Sequence, residues 1–216
     1  MSKSTIRAIL ILVICWVILV GALSMNGFFS NFSAMPPRLG FALLTPLPVV
    51  LLMMRSKAGT EILRRIEPQW PIYLQVFRIL VEAGLWLSVR NGLLPTQLSL
   101  EGRNFDLVTG LLAIPVGYYC FVKRSWPPVI ALLYNIGGLL LLVNAVTLAT
   151  LSMPTPLRVF HNLPDASLLT HFPGIYLPGL LVPLAYTLHI FSLRQWTVIG
   201  SIRQRESRIS VSGREV

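Results

Sequence analysis

The run VIALLYNIGGLLLLVNAVTLATLSM, residues 129–153, contains no charged side chain. A helix needs about 20 apolar residues to cross roughly 30 Å of hydrocarbon, and this run reaches that length without a break. Working outward, five further apolar runs of comparable character occupy residues 6–29, 39–54, 72–94, 105–122 and 172–193. The expected fold is all-α: a polytopic transmembrane helical bundle of six spans over residues 1–196. A basic tail, 197–216, rich in Arg and Ser and expected to be mobile, follows it. The second run is the shortest and carries Pro46 and Pro48, so its ends are the least defined. The first run has an alternative reading. Lys3 and Arg7 ahead of an apolar stretch ending near Ala22-Leu23-Ser24 also describe a cleaved signal peptide, which leaves five spans with the same C-terminal orientation.

Composition agrees with this class. Hydrophobic residues make up 54% of the chain and charged residues 12%, and mean hydropathy is +0.70. Soluble domains carry about a quarter charged residues; with half that, a water-soluble fold cannot cover this much apolar surface. The formal charge of +10 does not indicate nucleic acid, because the basic residues form no patch and no zinc-finger or RNA-binding spacing is present. They sit between the apolar runs, on alternate connections. With the N-terminus inside, Lys3, Arg7, Arg55, Lys57, Arg64, Arg65, Lys123, Arg124, Arg194, Arg203, Arg205, Arg208 and Arg214 are cytoplasmic, thirteen of eighteen. Arg38, Arg90, Arg103 and Arg158 fall outside, and Arg78 within a span. This bias orients the chain with both termini in the cytoplasm. Trp70, Trp126 and Trp196 all fall at the inner boundary, where indole rings concentrate. The connection 55–69 mixes Ile62, Leu63 and Ile66 with charges and reads as a short interfacial helix. Cys15 and Cys120 lie inside apolar runs and read as small buried hydrophobes rather than a disulfide pair.

Ionisable groups inside a membrane are costly and mark functional candidates. Gln75, Arg78, Glu82, Trp86 and Arg90 share one face of the third run at 3.6 residues per turn, with Arg78 and Glu82 spaced to pair directly. Asn135, Tyr186 and His189 fall at similar depth to Arg78 and form a second group with it. On the outer side, Glu101-Gly102-Arg103-Asn104-Phe105-Asp106 places two acids, a base and an amide at the mouth of the fourth run, where Asp106 is positioned to cap the helix. Below it, Gly110, Ala113 and Gly117 form a seam that lets another helix approach closely. Arg38, Arg90 and Asn144 are within expected reach of this mouth. His161, Asp165 and His171 follow no standard zinc spacing, and no metal or other cofactor is expected.

Three stretches carry a resemblance: 101–106; Val143-Asn144-Ala145 leading to Leu151-Ser152-Met153-Pro154-Thr155-Pro156; and Phe172-Pro173 through Pro178 and Pro183 to His189-Ile190-Phe191-Ser192-Leu193. With the Arg78–Glu82 stripe, they resemble an uncharacterised family of bacterial integral membrane proteins of the Bacteroidetes type, over about 41–195. The resemblance implies a bacterial inner membrane and no particular reaction.

Three functions remain open. The first is binding or transport of a small polar or anionic ligand through a periplasm-facing pocket. The ligand-binding candidates are Arg78, Glu82, Arg90, Glu101, Arg103, Asn104, Asp106 and Asn144, with Asn135, His161, His171, Tyr186 and His189 as secondary ones. The second is an accessory subunit packed against a membrane partner or a second copy. The third, less favoured, is a membrane enzyme using buried carboxylates or histidines as acid/base groups. A transporter requires an aqueous path from both sides. An enzyme requires a closed pocket with carboxylate and histidine in contact.

Overall fold

The computed structural model describes the backbone of residues 3–212 and the side chains of residues 4–197. Of the basic tail, the backbone to Ser212 continues the last helix, and the side chains after Thr197 and residues 213–216 lie outside the described residues. The described residues are helical and contain no strand. The elements are α1 (Lys3–Met25), α2 (Leu39–Leu44), α3 (Pro46–Arg55), α4 (Lys57–Arg65), α5 (Gln69–Tyr73), α6 (Phe77–Arg90), α7 (Leu107–Gly117), α8 (Val129–Leu151) and α9 (Val182–Ser212).

Four helical stretches are long and apolar enough to cross a membrane: Ser4–Met25, Gln69–Arg90, Val129–Leu151 and Leu177–Thr197. A fifth arises if the bent pair Leu39–Arg55 and Lys57–Arg65 is taken together, and Leu107–Val122 is a shorter apolar helix. The shortening has local causes. Pro46 and Pro48 occupy the first turn of α3, where a missing N–H does no harm, and the Thr45 N–H still reaches the Phe41 carbonyl. The run therefore stays helical across its prolines and stops at Ser56, whose hydroxyl accepts from the Gly59 N–H at 3.0 Å to start α4. The α4 axis turns by 80° from the preceding helix. In the fourth run Pro115 interrupts α7, and the last turn, Tyr118–Val122, widens to a π turn. A second π turn, Leu177–Leu181, contains Pro178 and leads into α9. Such widened turns absorb a proline that the regular ladder cannot.

The connections sort onto two ends of the bundle. At one end, Ser24 Oγ donates to the Thr170 carbonyl at 2.9 Å, Gln97 Nε2 donates to Ser152 Oγ at 2.8 Å and to Asn162 Oδ1 at 3.1 Å, and Asn144 Nδ2 donates to the Arg103 carbonyl. These contacts knit the connections after α1, α6 and α8. At the other end, Gln195 Nε2 donates to the Leu63 and Ile66 carbonyls at 2.9 and 2.7 Å, latching α4 to α9. Trp126 and Trp196 there border one vestibule together with Glu67 and Gln69, next to Trp70.

The small-residue seam of α7 is filled from within the chain. A methyl group on Gly110 would lie 2.8 Å from Ile79 Cγ1, and one on Gly117 would lie 2.7 Å from Tyr73 Cδ1. α7 is thus clasped by α5 and α6 and carries the centre of the bundle. α1 packs through Trp16, whose indole donates to the Gly179 carbonyl at 2.8 Å, and through Val20 against Gly179. Cys120 is buried, but Cys15 lies on the exposed face of α1, contrary to expectation, and both are free thiols.

Candidate functional site

Arg78 decides how the site is built. The i,i+4 spacing predicts that it pairs with Glu82, and it does not. Its Nε donates to Asp106 Oδ2 at 2.8 Å and its Nη2 lies 2.6 Å from Asp106 Oδ1, while its Nη1 lies 3.0 Å from His189 Nε2. The reason is packing. Because Gly110 has no side chain, α7 approaches α6 closely enough for Asp106, one residue before α7, to reach the guanidinium. Asp106 consequently makes no capping bond to α7; the capping role is replaced by a buried ion pair. Arg78 is 2% exposed and Asp106 9%, so bulk solvent does not reach the pair.

His189 continues the network. Its Nδ1 meets Asn135 Oδ1 at 2.9 Å. The Asn135 amide nitrogen is committed to the Ala131 carbonyl at 2.7 Å and to Ser192 Oγ at 2.9 Å, which turns its oxygen to the imidazole. Arg78 has only protons to offer, so His189 Nε2 is the acceptor and Nδ1 carries the hydrogen. The ring is therefore held in one neutral tautomer, assigned from its partners. Gly138 makes the space: a methyl group there would lie 2.6 Å from His189 Nε2 and 3.0 Å from Thr109 Cγ2.

Glu82 has a separate set of partners. Oε1 accepts from the Leu100 N–H and Oε2 from Asn104 Nδ2 at 3.2 Å. Asn104 in turn accepts the Asp106 N–H on its Oδ1, which joins the two halves of the cluster. The outer loop is folded inward onto Glu82.

These groups border a cavity of about 60 Å³ in the half of the bundle nearest that loop. Its polar wall is Arg78, Glu82, Asn104, Asp106 and Thr150, and the rest is apolar, including Leu43, Leu85 and Leu142. At roughly 10–15 Å³ per water, the space suits about four to six water molecules. At the opposite end a vestibule of about 590 Å³ is bordered by Arg124, Trp126, Asn135, Ser192, Gln195 and Trp196 among others.

Of the predicted residues, the structure gathers Arg78, Glu82, Asn104 and Asp106 on the cavity and joins Asn135 and His189 to them. It separates the rest. Arg90 pairs with Glu101 at 2.7 Å and Trp86 donates to the same carboxylate at 2.8 Å; the Trp86 indole and then the Arg90 guanidinium hold the Glu101 carboxyl below the ordinary carboxylate value. This trio is on the exposed face and does not border the cavity. Arg103 stacks over Phe160, and Asn144 holds the Arg103 backbone. Arg38 turns away to the Phe28 ring and carbonyl. Tyr186 donates to the Leu43 carbonyl rather than joining His189. His171 lies within reach of Ser30, Thr170 and Ser167, and His161 is exposed on the loop. Sequence reasoning passed over Ser192 and Gly138, which place Asn135 and His189. A signal existed for the first: Ser192 lies three residues after His189, on the same helix face.

The elements and this site define an all-helical protein with several helices suited to a bilayer and a buried polar cluster at its centre. The chain belongs to the family described as a domain of unknown function, DUF8737, which it matches over residues 31–196. That stretch contains every residue of the cluster. No curated protein and no solved structure matches the chain.

Proposed function

We propose that the chain is a six-span protein of the bacterial inner membrane, with both termini cytoplasmic, that binds a small polar solute carrying hydrogen-bond donors. The two-ended sorting of the connections supports six traverses: those after α1, α6 and α8 meet at one end, and α4, the 123–128 connection and residues 195–196 of α9 at the other. Two traverses are short, Leu39–Arg55 and Leu107–Val122, and the bundle accommodates them through prolines and a π turn. The Lys and Arg bias and the three tryptophans support a cytoplasmic vestibule and a cavity toward the periplasm.

One observation carries the ligand reading. Glu82, 4% exposed, stands on the cavity wall without a cationic partner among the described residues, held by one backbone N–H and one amide. A cluster that served packing alone would be complete with the Arg78–Asp106 pair. The wall holds two carboxylates against one guanidinium, and that guanidinium is already paired. This favours a solute that donates, such as an alcohol, amide or amine, over the anion that the basic residues suggested. An acid/base enzyme has less support, since both His189 nitrogens are occupied by Arg78 and Asn135 and neither meets a carboxylate.

The test is thermal unfolding of the detergent-purified protein with glycerol, urea, methylammonium, acetate or phosphate. Donors should raise the Tm of the wild type and have a much smaller effect on Glu82→Gln. Stabilisation by the anions alone, or equal responses in both proteins, would overturn the proposal.

A further inference from the structure

The cavity and the vestibule approach each other through the middle of the bundle, where the row Arg78–His189–Asn135 joins their walls. Arg78 borders the outer cavity and Asn135 borders the vestibule. His189, 0% exposed, touches both, at 3.0 Å on one side and 2.9 Å on the other. Two hydrogen bonds and one imidazole therefore span the distance between the walls of the two chambers. The surroundings hold that ring but do not thicken the barrier. Gly138 has no side chain, Thr109 presents a methyl group there, and the Tyr134 ring centroid is 5.9 Å away.

We infer that His189 is the partition of a transmembrane pathway, with the periplasmic cavity and the cytoplasmic vestibule as its two half-channels, and that the chain conducts small uncharged polar solutes. This inference rests on the cavity being a solute site. The vestibule side is suited to hydrated solutes: Asn135, Ser192 and Gln195 supply amide and hydroxyl groups, and Gln195 Oε1 is buried without a partner. Passage of a solute requires the imidazole to leave Arg78 and Asn135, and a solute offering both a donor and an acceptor replaces those two bonds as it passes. The Arg78 guanidinium stands beside the partition at the narrowest point. It breaks any proton chain, because arginine stays protonated and has no acceptor.

The measurement is stopped-flow light scattering of proteoliposomes under glycerol and urea gradients. His189→Ala removes the partition and should raise glycerol and urea permeability several-fold over the wild type. His189→Gln can still bridge Asn135 and Arg78 and should raise permeability less than His189→Ala. His189→Ser is the second opening variant, should the alanine protein fold poorly. Proton leak, read with an entrapped pH dye, should not rise in step with solute flux. Unchanged permeability in folded His189→Ala and His189→Ser proteins that glycerol still stabilises would overturn the pathway and leave the binding site standing. Failure of glycerol to stabilise the wild type would instead remove the binding proposal beneath it.

Discussion

Arg78→Met lowers unfolding stability by about 3–5 kcal/mol, the cost typical of leaving one member of a buried ion pair unmatched. The methionine fills most of the volume, so the loss reports charge rather than a void. It strands the Asp106 carboxylate 9% exposed and takes from His189 Nε2 its donor at 3.0 Å. The pairing makes a second, sharper statement. Asp106→Asn in the Arg78→Met background removes the stranded charge and should recover a large part of the loss, so the double variant is more stable than the first single one. A Glu82→Gln change in the same background should recover little, because Glu82 does not pair with Arg78. Reversible unfolding in mixed micelles of the wild type, the three single variants and the two double variants gives the coupling energies directly. A recovery with Glu82→Gln and none with Asp106→Asn would restore the on-helix pairing that the i,i+4 spacing suggests.

Gly138→Ala should cost about 1–3 kcal/mol, the range for overpacking a filled interior. The added methyl group would lie 2.6 Å from His189 Nε2. The imidazole has no free volume to retreat into, since Asn135 holds one nitrogen and Arg78 the other. Gly137, its neighbour on α8, has nothing within 4 Å of the corresponding position, so Gly137→Ala should be neutral or slightly stabilising through the helix preference for alanine. Comparing the two alanine variants by thermal unfolding separates the effect of position from that of glycine content. Equal behaviour would mean that α8 does not present Gly138 to His189.

Much of the architecture was legible because hydrocarbon imposes a length and a polarity on every crossing segment. The expected run 129–153 became α8, and 105–122 became Leu107–Val122, close to the predicted bounds. The short helix expected in 55–69 became α4, set off by an 80° turn. The side chains were less legible, for a physical reason. Residues on one helix face share a direction, but which neighbour they meet depends on how closely the helices approach. Arg78 met Asp106 instead of Glu82 because Gly110 lets α7 come near. The Arg-before-Glu order is also the weaker i,i+4 orientation, a cue available in the sequence. Glu82 was left to the inward-folded loop, whose course depends on the Leu100 backbone and on Asn104 more than on its charges. Arg90 and Glu101 found each other outside, so the first part of the charged mouth is a surface clasp, and Asn104 and Asp106 are the parts that reach the cavity. The histidines divide in the same way. His189 sits deep among helices and was drawn into the network, while His161 and His171 belong to a loop that closes on itself and on Ser30.

The central claim is that Glu82 faces a hydrated cavity entered from the periplasmic side. Thiol accessibility of Glu82→Cys tests it most directly, in a chain carrying Cys15→Ala and Cys120→Ala, using a small membrane-impermeant methanethiosulfonate on right-side-out and inverted vesicles. The account predicts reaction from the periplasmic side, with Glu101→Cys, on the exposed face, reacting faster. Reaction from the cytoplasmic side only, or none where Glu101→Cys reacts, would contradict it.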